Sequence, residues 1–295
     1  EYNQLTSLDV SGCIDLKQLS CYDNQLTSLD VSNCSALTNL SCNDNQITSL
    51  DVSNNSALSF LQCRFNNLTS LDVSNNPELR FFTCYGNQLT SLDVSKNTAL
   101  TNLGCSDNQL TSLDVSNNTA LEFLNCSDNQ LASLDLSNNT ALTDLYTYRN
   151  EYEITLTGKT FDLSTLPTGF DVTKASDWTN ATVKGNILTV DDTSKEVTYK
   201  YDCGNGHSET FTLIPPIAET PAETTTIPAA PETTITTTAI TTTAPVTTTP
   251  ATTTPEEDLP QTGFSKLYNC IPVSAGALVL LGMYAVKKSK KEDEE

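Results

Sequence analysis

Cysteine and aspartate, the residues of this chain best suited to metal binding or covalent chemistry, recur at a fixed spacing. One cysteine falls every 21 residues, and so does the aspartate of a Leu-Asp-[Val/Leu]-Ser segment. A row of thiols can bind a soft metal or form disulfide bonds, and a row of carboxylates can bind calcium. The cysteines are Cys21, Cys42, Cys63, Cys84, Cys105 and Cys126, and the aspartates are Asp9, Asp30, Asp51, Asp72, Asp93, Asp114 and Asp135.

Both rows also have a structural interpretation, which we favour. The sequence contains no Asp-x-Asp-x-Asp-Gly loop, so the carboxylates are expected to accept backbone N–H bonds in turns rather than to hold calcium. One thiol per repeat beside a leucine core is typical of inert packing. Cys13 and Cys34 lie one period apart, and a disulfide bond between them stays open.

The remaining residues offer no catalytic constellation. His207 is the single histidine, and its Gly-rich surroundings favour a solvated side chain. The sequence has no glycine-rich phosphate loop, no nucleophile with an adjacent base and no metal-ligand spacing. We therefore predict that this part of the chain is not an enzyme and needs no cofactor or metal.

The 21-residue spacing belongs to a repeat that covers residues 3–149. Each unit begins with an asparagine and reads Asn-x-[Leu/Ile]-[Thr/Ala]-Ser-Leu-Asp-[Val/Leu]-Ser, and it then continues with spaced leucines and a cysteine. One unit has too few apolar side chains to bury a core alone, so neighbouring units must stack. The x-Leu-x-Cys-x segment alternates with period two, which predicts a strand with one buried face. Asparagines in the turns are expected to form a ladder. The repeated asparagines are Asn3, Asn24, Asn45, Asn66, Asn87, Asn108 and Asn129.

The repeat resembles those of internalin-like bacterial leucine-rich-repeat surface proteins. Leu58, Leu61, Cys63, Asn66 and Leu68 have the spacing of the Leu-x-x-Leu-x-(Leu/Cys)-x-x-Asn-x-Leu frame, which recurs six times. The resemblance implies a parallel β-solenoid over residues 1–149. The first residues look like the tail of an earlier unit, so we expect a longer protein.

Solvent-facing strand positions of a solenoid form an extended concave surface that can bind a partner. The large or charged side chains predicted at these positions suggest a protein or glycan ligand, with Phe81 and Tyr85 as anchors. Cross-strand aromatic pairs that only stabilise the sheet are an equally open alternative. The candidate binding residues are Phe60, Arg64, Phe81, Tyr85, Phe123, Tyr146 and Tyr148, with Gly104 expected to leave a dip between two groups.

Residues 150–214 leave the repeat and predict a small β-module that caps the solenoid. The stretch 151–157 alternates like a strand, and Gly185-Asn186 predicts a hairpin turn within 183–190. Strands over 197–202 and 208–214 flank a second tight turn. Trp178 is expected to anchor the module's core, and Cys203 has no evident partner.

The last part of the chain predicts that the protein is attached at the cell surface. Residues 215–258 are a Thr/Pro-rich stalk too polar to fold. Residues 259–295 contain Leu259, Pro260, Gln261, Thr262 and Gly263, then an apolar membrane segment at 271–286 and a lysine-rich end that fits the positive-inside rule. An ordinary single-span membrane anchor is the alternative.

This order of segments resembles the sorting signal of Gram-positive wall-anchored proteins. The resemblance implies that a sortase cleaves between Thr262 and Gly263 and joins Thr262 to peptidoglycan, so that the chain is a substrate and not a catalyst. It places the protein outside the cell, on the cell wall.

Charge excludes one further class of partner. The formal net charge is −21, which argues against nucleic-acid binding because phosphate contacts need clustered Lys and Arg. The favoured function is an adhesin-like binding face. The alternatives are a passive spacer, or a targeting part for a catalytic domain that precedes residue 1.

Overall fold

Seven short parallel strands form one continuous sheet in the first part of the chain. The computed structural model describes residues 2–167 and 169–216. Each strand pairs in register with the next, so that Phe60 lies beside Phe81 and Phe81 beside Asn102. The sheet order follows the chain order. The strands are β1 (Gln18–Ser20), β2 (Asn39–Ser41), β3 (Phe60–Gln62), β4 (Phe81–Thr83), β5 (Asn102–Gly104), β6 (Phe123–Asn125) and β7 (Asp144–Tyr146).

This sheet confirms the predicted leucine-rich-repeat solenoid. Partner residues on neighbouring strands are 21 apart, so each unit makes one turn and places equivalent side chains side by side. The strand centres Leu40, Leu61 and Leu103 are fully buried, and so are Cys42 and Cys63 two residues further on. The predicted alternation of buried and outward residues is therefore confirmed.

An asparagine ladder binds successive turns together, as predicted. The Oδ1 atom of Asn87 accepts the N–H of Leu68 in the preceding unit at 3.0 Å. Its Nδ2 group donates to the carbonyl oxygens of Cys63 and Cys84 at 3.1 and 2.9 Å. One side chain thus bonds three backbone groups from two units. The amides of Asn66 and Asn108 donate to the same two carbonyl oxygens, so each carbonyl is shared by two members of the ladder.

A second asparagine column lies ten residues further along each unit. The Nδ2 group of Asn97 donates to the carbonyl oxygens of Val73 and Asn76, both at 2.9 Å. Every member of the column is buried, and the Nδ2 group of each donates to two backbone carbonyl oxygens in the same way. The Oδ1 atom of each member lacks a hydrogen-bond partner among the described residues. The members are Asn55, Asn76, Asn97, Asn118 and Asn139.

After the solenoid the chain forms a small module of two sheets. One sheet has the order β10-β13-β14-β8 and the other β11-β12-β9. Gly185 and Asn186 make the two-residue turn that joins β11 to β12, as predicted, since Lys184 pairs with Ile187. The strands are β8 (Glu151–Glu153), β9 (Thr160–Asp162), β10 (Ala175–Thr179), β11 (Ala181–Lys184), β12 (Ile187–Val190), β13 (Val197–Gly204) and β14 (His207–Ile214), with single-turn 3₁₀ helices at Leu163–Thr165 and Val172–Lys174.

The core of the module is centred on residues other than the one predicted. Tyr199, Tyr201 and Phe211 are almost completely buried. Trp178 is only half-buried and stacks on Tyr199 with ring centroids 4.4 Å apart. The prediction that Trp178 anchors the core is therefore wrong. The tryptophan belongs to the edge strand β10, and its ring covers the core from one side.

Strands β13 and β14 lie directly against the last repeat. The backbone N–H of Leu136 donates to Cys203 O at 2.7 Å, and the Tyr199 hydroxyl donates to Ala132 O at 2.5 Å. The Thr147 hydroxyl donates to Glu209 at 2.6 Å. Repeat and module share one hydrophobic core, so the apolar end of the solenoid is covered.

Candidate ligand-binding face

Each strand of the solenoid carries outward side chains at fixed places. In β3, Phe60 and Gln62 point away from the core on either side of buried Leu61. Two residues further on, Arg64 points outward beyond buried Cys63. Each strand pairs in register with the next at a spacing of ~4.8 Å. The residues equivalent to Phe60, Gln62 and Arg64 in the other units therefore form three rows across the sheet. We call the surface they make the sheet face.

The largest predicted group on the sheet face comes together around β3 and β4. The rings of Phe60 and Phe81 stack nearly parallel, with centroids 4.7 Å apart and an interplanar angle of 11°. Both rings remain half-exposed. In this arrangement each ring covers one flat side of the other. We call Phe60, Arg64, Phe81 and Tyr85 the central cluster.

Arg64 is held in place by two neighbours in adjacent units. Its Nη1 group donates to the Tyr85 hydroxyl at 2.6 Å, and the guanidinium carbon lies 5.5 Å from the centroid of the Tyr85 ring. Its Nε atom is 4.0 Å from a carboxylate oxygen of Asp44. Burial raises the pKa of Asp44, an effect that Arg64 partly offsets and nearby Asp23 reinforces.

Phe65 is a member of this surface that the sequence pattern did not single out. Its ring meets the edge of Tyr85 with centroids 5.1 Å apart, and its backbone has a positive φ of 49°. Gly86 occupies the equivalent position in the next unit. Aspartate fills it at Asp23, Asp44, Asp107 and Asp128, and Tyr2 and Arg149 fill it at the two ends of the array. The signal was present in the sequence, because an aromatic ring and a glycine interrupt the aspartates inside the array.

A second group lies at the end of the solenoid near the β-module. Tyr146 and Tyr148 are 39% and 55% exposed, while Phe123 is only 8% exposed. The ring of Tyr146 lies 5.7 Å from that of Phe123, tilted by 44°, and covers part of it. Phe123 is therefore less accessible than alternation along the strand predicts. We call Phe123, Tyr146 and Tyr148 the C-terminal cluster.

Gly104 separates the two clusters, but the dip expected there is narrow. A Cβ atom at Gly104 would lie 3.1 Å from Cγ2 of Thr83 and 3.8 Å from Cδ1 of Tyr85. Side chains of the preceding unit thus lean over the glycine. The missing side chain makes room for its neighbours rather than for a deep pocket.

The cysteine row has no reactive members in the described part of the chain. All six repeated cysteines are buried, and burial raises the pKa of Cys21 to about 11 and that of Cys105 to about 12. Thiols that stay protonated at neutral pH are poor nucleophiles and poor metal ligands. Cys203 of the β-module is also buried, with its pKa raised to about 12.

Disulfide bonds and metal clusters are absent from residues 2–167 and 169–216. The nine cysteines in these ranges are free thiols, so Cys13 and Cys34 are not bonded to each other. Cys34 is buried with its thiol directed at Val10 O, whereas Cys13 is exposed. No group of three or more His, Cys, Asp or Glu side chains in these ranges is arranged to hold a metal ion.

The aspartate row makes turns, as we expected. The Oδ1 atom of Asp51 accepts the backbone N–H of Ser53 at 2.9 Å, and the other six aspartates do the same with the serine two residues later. Hydrogen bonds from the serine lower the pKa of the Asp51 carboxyl. The carboxylates are therefore engaged in local structure and separated along the flank of the solenoid.

The sorting signal Leu259–Gly263, the stalk and the membrane segment 271–286 lie outside the described residues. Within 2–167 and 169–216, no helix has the length and apolar character needed to cross a membrane. His207 is half-exposed at the first position of β14.

No protein-family model and no curated protein sequence matches the chain. Several solved structures are similar to it. The functional domain of InlJ from Listeria monocytogenes, described as including a cysteine ladder, is 25% identical with a TM-score of 0.44, covering 72% of this chain and 64% of its own. A leucine-rich-repeat protein of Leptospira interrogans is 25% identical with a TM-score of 0.46, covering 51% of this chain and 40% of its own. An internalin, InlF, of Listeria monocytogenes is 22% identical with a TM-score of 0.43, covering 48% and 51%.

The chain thus spans less than two thirds of the length of each of these three structures. The fold assignment rests on the chain's own geometry. A seven-stranded parallel sheet with partners 21 residues apart and an asparagine ladder define a leucine-rich-repeat solenoid.

Proposed function

We propose that this protein is a cell-wall-anchored surface protein whose concave repeat face binds a protein or glycan partner. The observation that carries the binding proposal is the central cluster. Two stacked phenylalanines, a tyrosine and a tyrosine-bound arginine stand together on a solvent-facing sheet. Aromatic and arginine side chains are the residues that most often dominate binding energy at interfaces.

The fixed arrangement of the cluster also favours binding over a purely structural role. Arg64 is held by Tyr85 and lies near Asp44, and Phe65 packs against Tyr85. Side chains that are ordered before a partner arrives lose less conformational entropy when it binds. A stacked pair alone would be enough to stabilise the sheet, whereas the arginine and second aromatic pair lie beyond the ends of the strands.

The proposal of wall attachment rests on the sequence signal at Leu259–Gly263. A sortase thiolate would attack the carbonyl carbon of Thr262 and break the bond to Gly263, releasing residues 263–295 with a new amino terminus. An amine of a cell-wall precursor would then displace the thiol and form an amide with Thr262. Protein extracted from the wall should therefore end at Thr262, and mass spectrometry that found residues 263–295 still attached would contradict anchoring.

Arrays of proteins and of glycans, probed with the 295-residue chain, test the binding proposal. A suitable comparison is F81N/Y85S, because Asn102 and Ser106 occupy the same two places in the next unit and fit the fold. We expect at least one ligand that binds the parent and not this variant. Ligands that bind both proteins equally would place recognition elsewhere.

A further inference from the structure

The last unit of the solenoid departs from the repeat at the places that contact the β-module. Ala132 stands where the six earlier units have threonine, Leu136 where they have valine, and Thr147 where they have cysteine. Each of these three residues forms a hydrogen bond to strand β13 or β14. This end of the solenoid is therefore adapted to hold the module.

The turn that joins β13 to β14 lies against the same unit. Gly204 pairs with His207, so Asn205 and Gly206 form a two-residue turn, and their positive φ values of 52° and 83° are those of a type I′ turn. A Cβ atom at Gly204 would lie 2.8 Å from Oγ of Ser137 and 3.2 Å from its backbone nitrogen. The turn is therefore packed directly on the backbone of the last unit.

The side chain of Asn205 is tied to the solenoid. Its Nδ2 group donates to Leu136 O, and the backbone N–H of Leu136 donates to Cys203 O at 2.7 Å. Asn205 as a whole is nevertheless exposed. Its side-chain nitrogen is thus held by the last repeat although water reaches the residue.

Asn205 is also the one asparagine of the 295-residue sequence that is followed by glycine. Every other asparagine precedes a residue with a Cβ atom, which hinders the backbone nitrogen of that residue. Glycine has no such atom, and its backbone has the widest range of conformations. The backbone nitrogen of Gly206 can therefore reach the side-chain carbonyl carbon of the asparagine before it more easily than any other residue of the chain can.

We propose that Asn205 is a site of spontaneous deamidation and that docking of its turn on the last repeat protects it. In the reaction, the backbone nitrogen of Gly206 attacks Cγ of Asn205 and closes a succinimide ring. The bond from Cγ to Nδ2 breaks, and ammonia leaves with the former amide proton of Gly206. Water then opens the ring at one or the other carbonyl carbon, which gives aspartate or isoaspartate.

Docking and deamidation oppose each other. Ring closure needs rotation of the Asn205 side chain and of the backbone before Gly206, and the hydrogen bond to Leu136 and the packing on Ser137 restrain both rotations. After the reaction, a carboxylate replaces the amide and has no proton to donate to the carbonyl oxygen of Leu136. A turn that deamidates while undocked therefore docks less well afterwards, and the loss is not reversible.

The first test compares the full chain in buffer and in urea, both at pH 8, by mass spectrometry of its peptides over time. Asn205 should be the fastest-reacting asparagine in urea. It should react at least about tenfold more slowly in the folded protein, because the rate there follows the fraction of time for which the turn is open. Equal rates in the two conditions would overturn the protection, and slow reaction in urea would overturn the site.

Three variants that each remove one hydroxyl separate docking from general loosening of the module. Y199F and T147V remove hydrogen bonds between the module and the last repeat, whereas T179V removes a bond between β10 and β13 inside the module. The first two should speed deamidation of folded Asn205 about fivefold or more, since each loss favours the undocked turn. Equal acceleration in all three variants would contradict protection by docking.

Two further variants test the chemistry and its consequence. In urea, where the conformation of the turn has no influence, G206A should slow the reaction at Asn205, and an unchanged rate would contradict attack by the Gly206 nitrogen. N205D carries the charge of the product from the start. It should unfold at a lower urea concentration than the parent, as should parent protein aged until Asn205 has reacted. Aged protein as stable as fresh protein would contradict a weakened cap.

Discussion

A Cβ atom at Gly86 would lie 2.5 Å from Cδ1 of Phe65 in the preceding unit. The glycine also has a φ of +68°, and Phe65 itself has a φ of +49°. The two residues are therefore matched, because the aromatic ring of one unit occupies the space that a side chain of the next unit would need.

This relationship predicts that G86D destabilises the solenoid and that F65D largely restores it. Aspartate tolerates the backbone conformation, as Asp107 shows with a φ of 52°, so the cost of G86D alone comes from the Phe65 ring. We expect a loss of ~1–3 kcal/mol in the free energy of unfolding. Urea unfolding of G86D and F65D/G86D measures it, and equal stability of the two variants would show that the ring is not the obstacle.

Removing one member of the asparagine ladder should be costly. N87A leaves the backbone N–H of Leu68 without its partner. It also removes one of the two amide donors to the carbonyl oxygens of Cys63 and Cys84, which keep Asn66 and Asn108 as donors. We expect a loss of ~1–3 kcal/mol in the free energy of unfolding, since a buried unpaired group carries the full cost of desolvation. Asn75 is exposed, and N75A should change stability by less than ~0.5 kcal/mol. Similar losses in the two variants would contradict a specific role for the ladder.

The aspartate row should make the solenoid sensitive to acid. Hydrogen bonds from serines lower the pKa of Asp51 and Asp72 from 3.8. The stability that these carboxylates contribute is therefore fully present above the unfolded pKa and is lost as pH falls through the folded pKa. The free energy of unfolding should fall less between pH 7 and pH 2.5 in D51N/D72N/D93N than in the parent. The reason is that asparagine keeps the turn and does not titrate. An equal loss would assign the acid sensitivity to other carboxyls.

Of the nine cysteines that the structure describes, only Cys13 should react with a thiol reagent in the folded protein. Cys13 is exposed, and the other eight are buried. Maleimide at neutral pH should label Cys13 in the folded protein and all nine after unfolding in guanidinium chloride. Peptide mass spectrometry resolves each site, and rapid native labelling of Cys63 or Cys84 would contradict the buried core.

The sequence predicts the solenoid well because the repeat specifies strand position, register and buried face together. Leu61, Cys63 and Arg64 lie where a period of 21 and alternation place them. The burial of Phe123 was not predictable in this way, because it depends on how the Tyr146 ring leans across it. Alternation assigns a side chain to a face and carries no information about neighbours that cover it.

The β-module was predictable at its turns and less so in its core. Gly185-Asn186 identifies a hairpin from backbone preference alone, and the hairpin is present. The strand predicted over 151–157 is shorter, at Glu151–Glu153. Composition favoured Trp178 as the core residue, but burial depends on strand order, and β10 lies at the edge of its sheet while β13 lies inside it.

The most direct test of the proposed binding face is the affinity of F81A/Y85A for a ligand that the parent chain binds. Both side chains stand half-exposed on the sheet face, and we expect the double substitution to weaken binding at least about tenfold, as for paired hot-spot residues. Affinity and unfolding free energy should be measured on the same preparations, with D72N as the control on the flank. Full affinity in a folded F81A/Y85A protein, with only its stability reduced, would show that the aromatic cluster serves the sheet and not a partner.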